Sequence, residues 1–243
     1  MLYLNKILEI GDFMNKGKIF VFEGSDCSGK QTQSEAIYKR MKNEGYNVRM
    51  ITFPNYDSKS SGPVKMYLGK ELGNEVHSIS PRQASILYSA DRVCSYLRNW
   101  KEFYESGGII IMDRYVTSNI VHQAAKIDNI DDKMDFVKWC LDLEYNELEL
   151  PIPDEVFFLN MPPKFSQLLN EKRKNKISGS IVKDLHESNS EFLKDSYNNA
   201  FFISKYLKWN VIDCVKDNEL RSINDIHNDI YKELQSKLQN KTP

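Results

Sequence analysis

Apolar residues gather in short runs at Lys18 to Glu23, Asn47 to Phe53, Gly108 to Asp113, Glu155 to Asn160 and Trp209 to Asp213, and amphipathic stretches fill each gap. Strands that alternate with helices need crossover connections. The pattern therefore predicts an α/β protein, a five-stranded parallel sheet flanked by helices in three layers. The unbroken run Ile109, Ile110, Ile111, Met112 suits a central strand covered on both faces. Helices are expected from Gln33 to Asn43, where Gly45 supplies a C-cap, and from Pro81 toward Tyr104, where Ser80 is a natural N-cap and Pro81 fits the first helical position. Further helical stretches run from Asn129 to Glu149, stopped by Pro151 and Pro153, from about Asp184 to Tyr206, and from Ser222 to Leu238.

A chain of 243 residues can bury one substantial core, and residues 18–243 read as one domain. Residues 1–17 read as an N-terminal extension: the leading MLYLNKILEIGDF is interrupted by Lys6 and Glu9, unlike a signal peptide. Met14 is the expected start of the native protein, and mass spectrometry showing a dominant species that begins at Met1 would overturn this. The 33 basic and 34 acidic residues nearly cancel, which argues against a nucleic-acid partner and leaves anion binding to local features. No stretch reaches the roughly 18 apolar residues of a membrane span. The four cysteines, Cys27, Cys94, Cys140 and Cys214, show no metal-type spacing, so free thiols in a reducing cytoplasm are expected.

The candidate chemistry begins where the first strand ends. Residues 24–32 read GSDCSGKQT, a GxxxxGK loop in which Gly24 and Gly29 let backbone N–H groups turn inward and Lys30 reaches toward β/γ-phosphates. The helix that follows adds its positive end. Gln31 stands where a Ser or Thr hydroxyl usually meets magnesium, with Thr32 one place later. Asp113 ends the central strand, at the rim where open α/β sheets bind ligands, and a strand-end acid of this kind commonly binds magnesium in P-loop proteins. Asp113 and Arg114 are therefore expected beside the cradle. A basic stretch, EKRKNKISGS from Glu171 to Ser180, has the composition of a mobile loop.

Taken together, GSDCSGKQTQ, Phe53-Pro54, LYSADR (Leu87 to Arg92) and DRYVTSN (Asp113 to Asn119) resemble the thymidylate kinases of the nucleoside monophosphate kinase group. The likeness is to the bacterial branch, whose loop lacks a basic residue after the Asp, here Cys27, and whose lid carries the basic residues. The resemblance implies a P-loop fold with a basic lid over about residues 171–184, a homodimer, and transfer of the ATP γ-phosphoryl to dTMP, with Mg2+, to make dTDP for dTTP synthesis. It implies that Gly24, Ser25, Asp26, Cys27, Ser28, Gly29, Lys30, Gln31 and Thr32 hold ATP. Lys30, Arg114, Asp26 and a lid cation would be catalytic, Arg114 by bridging the two phosphates. Among Lys172, Arg173, Lys174 and Lys176, Arg173 is preferred because a guanidinium contacts two phosphate oxygens at once.

For the acceptor, the resemblance implies thymine stacked on Tyr88 and hydrogen-bonded by Arg92, four residues on along one helical face. Asn119 would read the N3 and O2 edge with Ser118 beside it, and Phe53 and His122 would complete the site. Asp26 would hold the sugar 3′-hydroxyl or orient the metal, which would rest mainly on the phosphates, Asp113 and Asp26, with Asp184 and Glu187 as weaker metal or substrate candidates. Tyr115, Gln123 and Tyr197 match family positions and are assigned to packing or support. A dimer face on the helices after Pro81 and Tyr115 would include Ile120, Val121, Ala124 and Ala125, residues that suit a monomer core equally.

Three departures from the family pattern stand out: Gln31; the segment Asn55 to Lys59, where many members place a phosphate-binding Arg that Lys59 or Tyr56 would have to replace; and His122, where several place a Tyr near the sugar. Two rival readings follow, a kinase of the same architecture acting on a deoxynucleoside or another monophosphate, and a nucleotide-binding module without turnover.

Overall fold

The computed structural model describes residues 16–174 and 190–239. Among these, the five apolar runs form one parallel sheet in the order β2-β3-β1-β4-β5, with β1 Lys18–Gly24, β2 Val48–Thr52, β3 Ile109–Asp113, β4 Glu155–Asn160 and β5 Asn210–Asp213. From β1 the chain goes out to the edge strand β2, returns to β3 between β2 and β1, then crosses to β4 and β5 on the other side. The register sets Phe22 beside Asp113, Thr52 beside Asp113 and Gly24 beside Leu159. Phe53, Glu23, Arg114 and the phosphate loop are thereby gathered on one rim, at the strands' carboxyl ends.

Helix α1 (Lys30–Asn43) starts earlier than the apolar pattern indicates, directly after Gly29, and closes as expected on Gly45. There the Gly45 and Tyr46 N–H groups donate to the Lys42 and Met41 carbonyls, the paired bonds of a Schellman cap. Apolar side chains of α1 and the C-terminal helix fill one face of the sheet, among them Ile37, Met41, Ile226, Ile230 and Leu234 against Phe20, Phe22 and Phe157. Burial of this kind stabilises by about 25 cal/mol per Å² of apolar surface.

The long element after Pro81 is not one α-helix. Helix α3 (Pro81–Ser95), capped reciprocally by Ser80 and Gln83, runs into a π turn at Tyr96–Trp100. The short α4 (Lys101–Glu105) follows. The wide turn coincides with burial of both Tyr96 and Trp100 in the core on the sheet's other face. The expected helix from Asn129 likewise divides into α6 (Ile130–Leu141), with Asn129 as N-cap, and a π turn at Asp142–Glu147. Between them lies α5 (Val116–Ala124). Also not anticipated were α2 (Gly62–Leu68), a hairpin of β6 (Val215–Lys216) and β7 (Glu219–Leu220), and the helix Pro163–Lys174. The last turn of that helix takes in Glu171 to Lys174, so the stretch expected to be a loop from Glu171 begins as helix. The hairpin turn places Asp217 and Asn218 at φ 51 and 60, the left-handed pair that such a two-residue turn requires and that these residue types tolerate.

The later helices are α7 (Pro163–Lys174), α8 (Ser190–Tyr206) and α9 (Ile223–Gln239). Ile120, Val121 and Ala124 are buried within the protomer against α6 and α8. They are core, so the dimer face sketched from sequence does not include them. Residues 1–15, Lys176, Asp184 and Glu187 lie outside the described residues.

Candidate active site

Two cavities open on the rim and share one wall. The larger, about 860 Å³, is lined by Asp26 to Gln33 of the loop and α1, by Asp113 and Arg114, and at its far end by Leu220, Arg221 and Ile223. Gly24 sits at φ +154, where a Cβ would lie 2.7 Å from Ser28 Oγ and 3.0 Å from the Leu159 carbonyl. A side chain here would have to displace the Ser28 hydroxyl and crowd the Leu159 backbone at a φ that L residues rarely adopt, so the turn favours glycine. Gly29, at φ +94, forms the left-handed corner from which α1 begins. Lys30 is buried, and its ammonium donates to the carbonyls of Gly24 (2.8 Å) and Ser25 (2.7 Å). Burial, and next the Arg114 charge, lower its pKa against the pull of Asp26, Asp113 and Glu23. Gln31 turns along the helix, donating to Glu35 at 2.9 Å.

The shared wall is Asp26 and Arg114, which line both cavities. Arg114 leaves β3 in the left-handed region, at φ 67, with its N–H donating to the Phe22 carbonyl at 3.1 Å. Its guanidinium donates to Asp26 at 2.5 Å and to His122 Nε2 at 3.0 Å, and lies 3.7 Å from Glu23. Burial works against the Arg114 charge, but Asp26, Glu23 and Asp113 together outweigh it and raise the pKa. This cation is permanent at any working pH. Glu23, fully buried, also accepts from Thr117 (2.9 Å) and Ser118 (2.7 Å). Ser118 therefore directs its proton to Glu23 rather than into the second cavity. Asp113 Oδ1 is buried with no hydrogen-bond partner among the described residues. An uncompensated carboxylate oxygen at this rim fits a divalent cation, because a buried anionic oxygen is costly until paired.

The second cavity, about 190 Å³, brings together all eight residues expected around the acceptor: Asp26, Phe53, Tyr88, Arg92, Arg114, Ser118, Asn119 and His122. Tyr56, Tyr115 and Gln123 also line it, whereas Lys59 does not. Tyr56 is thus the better placed of the two candidates for the missing Arg. Tyr88 and Tyr67 pack in a T-shaped pair, centroids 6.3 Å apart at 89°. Arg92, 2% exposed, is locked to Glu144 in the π turn, donating through Nε at 3.0 Å and through Nη2. Burial opposes the Arg92 charge and Glu144 more than restores it. Tyr197 donates to Asn160 at 2.9 Å, a supporting contact.

Sequence reasoning overlooked three buried acids here. Glu23 carried a legible signal, a strand-end acid directly before the phosphate loop. Asp91 accepts from the Asn55 N–H (2.8 Å) and Ser60 (2.6 Å), tying the segment after Phe53 to α3. Glu144 had no local signal, since its partners are 52 and 55 residues away. Lys172, Arg173 and Lys174 fall in the last turn of α7.

A glycine-rich strand-to-helix loop, a strand-end Asp and a second polar cavity joined through one Arg–Asp pair define a P-loop protein built to bring two ligands together. Comparison with known proteins narrows this class. A family model for thymidylate kinase matches residues 22–230. The chain is 30% identical to thymidylate kinase of Plasmodium falciparum over 226 residues, 92% of each chain, and 26% identical to the Homo sapiens thymidylate kinase over 88% of each. The solved structure of thymidylate kinase from Candida albicans shares the fold, with a TM-score of 0.65 at 20% identity, covering 92% of this chain and 93% of the other. The chain belongs to the thymidylate kinase family.

Proposed function

We propose that this protein transfers the γ-phosphoryl of ATP to dTMP, giving dTDP and ADP. The observation that carries this is the sharing of Asp26 and Arg114 by the two cavities: a ligand in each would meet across a fixed cation. In the transfer, an oxygen of the acceptor phosphate forms the new P–O bond as the bond to the β-phosphate oxygen breaks, and no proton need move. The chain's task is alignment and neutralisation of charge. Lys30 and Arg114 supply that charge from the described residues, and Arg173 in the basic lid over about residues 171–184 is our choice for a third cation, as in the bacterial branch. Asp113, helped by Asp26, would hold Mg2+, which when bound neutralises charge on the phosphate oxygens.

Tyr88 supports stacking of the base, and Asn119 and Arg92 its recognition. We read residues 18–243 as one kinase domain acting in the cytoplasm, where unpaired thiols such as the buried Cys140 and Cys214 are stable. A homodimer is our reading of the assembly. Exposed Ile86 on α3 is compatible with an apolar contact between copies, and light scattering that gave a monomer mass would overturn it.

The deciding experiment is a panel of nucleosides and monophosphates with ATP at varied magnesium. Preference for dTMP supports the proposal, and preference for a nucleoside or another monophosphate overturns it. Asp113→Asn is expected to raise the magnesium needed for half-maximal rate about tenfold, through loss of one anionic oxygen. An unchanged magnesium dependence would remove Asp113 from the metal site. Asn119→Ala is expected to raise KM for dTMP about tenfold, the scale set by a lost hydrogen bond to substrate, and to narrow the preference for dTMP over dCMP. A kcat loss with unchanged base preference would count against its role.

A further inference from the structure

Glu144 is a buried acid on a π turn that no motif singles out, yet two residues that line the acceptor cavity, Arg92 and Asn119, converge on it together with the buried Ser89. Its Oε1 lies 2.6 Å from Ser89 Oγ and 3.4 Å from Asn119 Nδ2, and also receives Arg92 Nη2; Oε2 receives Arg92 Nε at 3.0 Å. Asn119 Nδ2 is also 3.4 Å from the Ser85 carbonyl. These contacts fix which way the Asn119 amide points. If the amide were reversed, Oδ1 would face a carboxylate oxygen and a carbonyl oxygen, two acceptors with no proton between them. A buried arrangement of that kind costs on the order of the desolvation of an unpaired polar group.

We infer that Glu144 is a specificity-determining positioning residue: by holding the Asn119 amide nitrogen, it keeps the amide oxygen available to the cavity as an acceptor beside the Arg92 donors. An acceptor next to a donor complements a pyrimidine edge that carries an N3–H and a 4-oxo group. The same edge of cytosine, with a bare N3 and a 4-amino group, has the opposite polarity and is rejected. Glu144 touches no substrate in this scheme and acts through two residues that do. Arg92 gains from it as well, because the bidentate contact holds the plane of the guanidinium.

The inference rests on the proposed dTMP kinase activity, and its test separates the two. The wild type is first assayed on dTMP and dCMP, with kcat and KM for each; failure to turn over dTMP overturns the proposed activity and this inference together. Given turnover, Glu144→Gln, which keeps the volume but can offer an amide donor toward Asn119, is expected to lower the dTMP-to-dCMP ratio of kcat/KM at least tenfold, mostly through KM for dTMP. In an Asn119→Ala background the same change is expected to lower the ratio by a clearly smaller factor, because only the route through Arg92 then remains. Ser89→Ala removes one hydroxyl from Glu144 with little change in volume and is expected to lower the ratio about threefold; it decides the matter should Glu144→Gln not fold. Variants that melt at lower temperature but retain the wild-type ratio would show Glu144 to be structural only, and would overturn the inference while leaving the activity intact.

Discussion

Arg114→Ala is expected to reduce kcat by at least about 10²-fold, roughly 3 kcal/mol of transition-state stabilisation, with dTMP still binding. The guanidinium is the one cation that lines both cavities among the described residues. It is held by contacts from three separate elements, Asp26 in the loop, Glu23 on β1 and His122 on α5. Fixed in this way, it needs little reorganisation as charge develops between the two phosphates, which is where a preorganised cation is most effective. Its removal leaves Glu23 with its hydroxyl donors from Thr117 and Ser118 but without a positive partner. Arg114→Lys is expected to recover only part of the rate, because an ammonium cannot bridge two groups in a planar fork. A coupled assay of ADP release giving a near wild-type rate for Arg114→Ala would overturn the assignment.

Lys30→Ala is expected to cause a loss of similar size, about 10²-fold or more in kcat. An ammonium has three N–H donors, and here two are directed to the Gly24 and Ser25 carbonyls. Among the described residues the third has no acceptor, and Lys30 lines the larger cavity, where a phosphate oxygen would take it. The carbonyl contacts also position the charge, so the alanine variant loses both a cation and a brace of the loop. Because burial lowers the Lys30 pKa, a bound polyphosphate is expected to raise it by supplying counter-charge. ATP binding by calorimetry should weaken in Lys30→Ala, and a rate within a few fold of wild type would show that the loop does not act on the transferred phosphoryl.

Much of the fold was legible because its signals are local. The five strands announce themselves as apolar runs, and β4 has the expected limits, Glu155–Asn160. Helix starts were read correctly where a cap residue marks them, as at Ser80 and Asn129. Errors arose where tertiary contacts override the periodic pattern: the π turn at Tyr96–Trp100 lies within a stretch whose apolar spacing still reads as helix. The Asp217-Asn218 turn was overlooked because strands of two residues carry too little pattern to register. For Ile120, Val121 and Ala124, sequence could show an apolar face but not what covers it, and α6 and α8 do.

The amino-acid sequence by itself determined the phosphate loop, the strand-end Asp113 and Arg114, the helical pairing of Tyr88 with Arg92, and the alternation that forces a parallel sheet. Each depends on residues close together in the chain, whose spacing and backbone preferences act before any long-range contact forms. Only the tertiary structure decided that Asp26 and Arg114 form one wall between two cavities, that Glu23 anchors Arg114, and that Glu144 holds Arg92 and Asn119. Those groups come from segments tens of residues apart, and a buried charge finds its partner through packing rather than spacing.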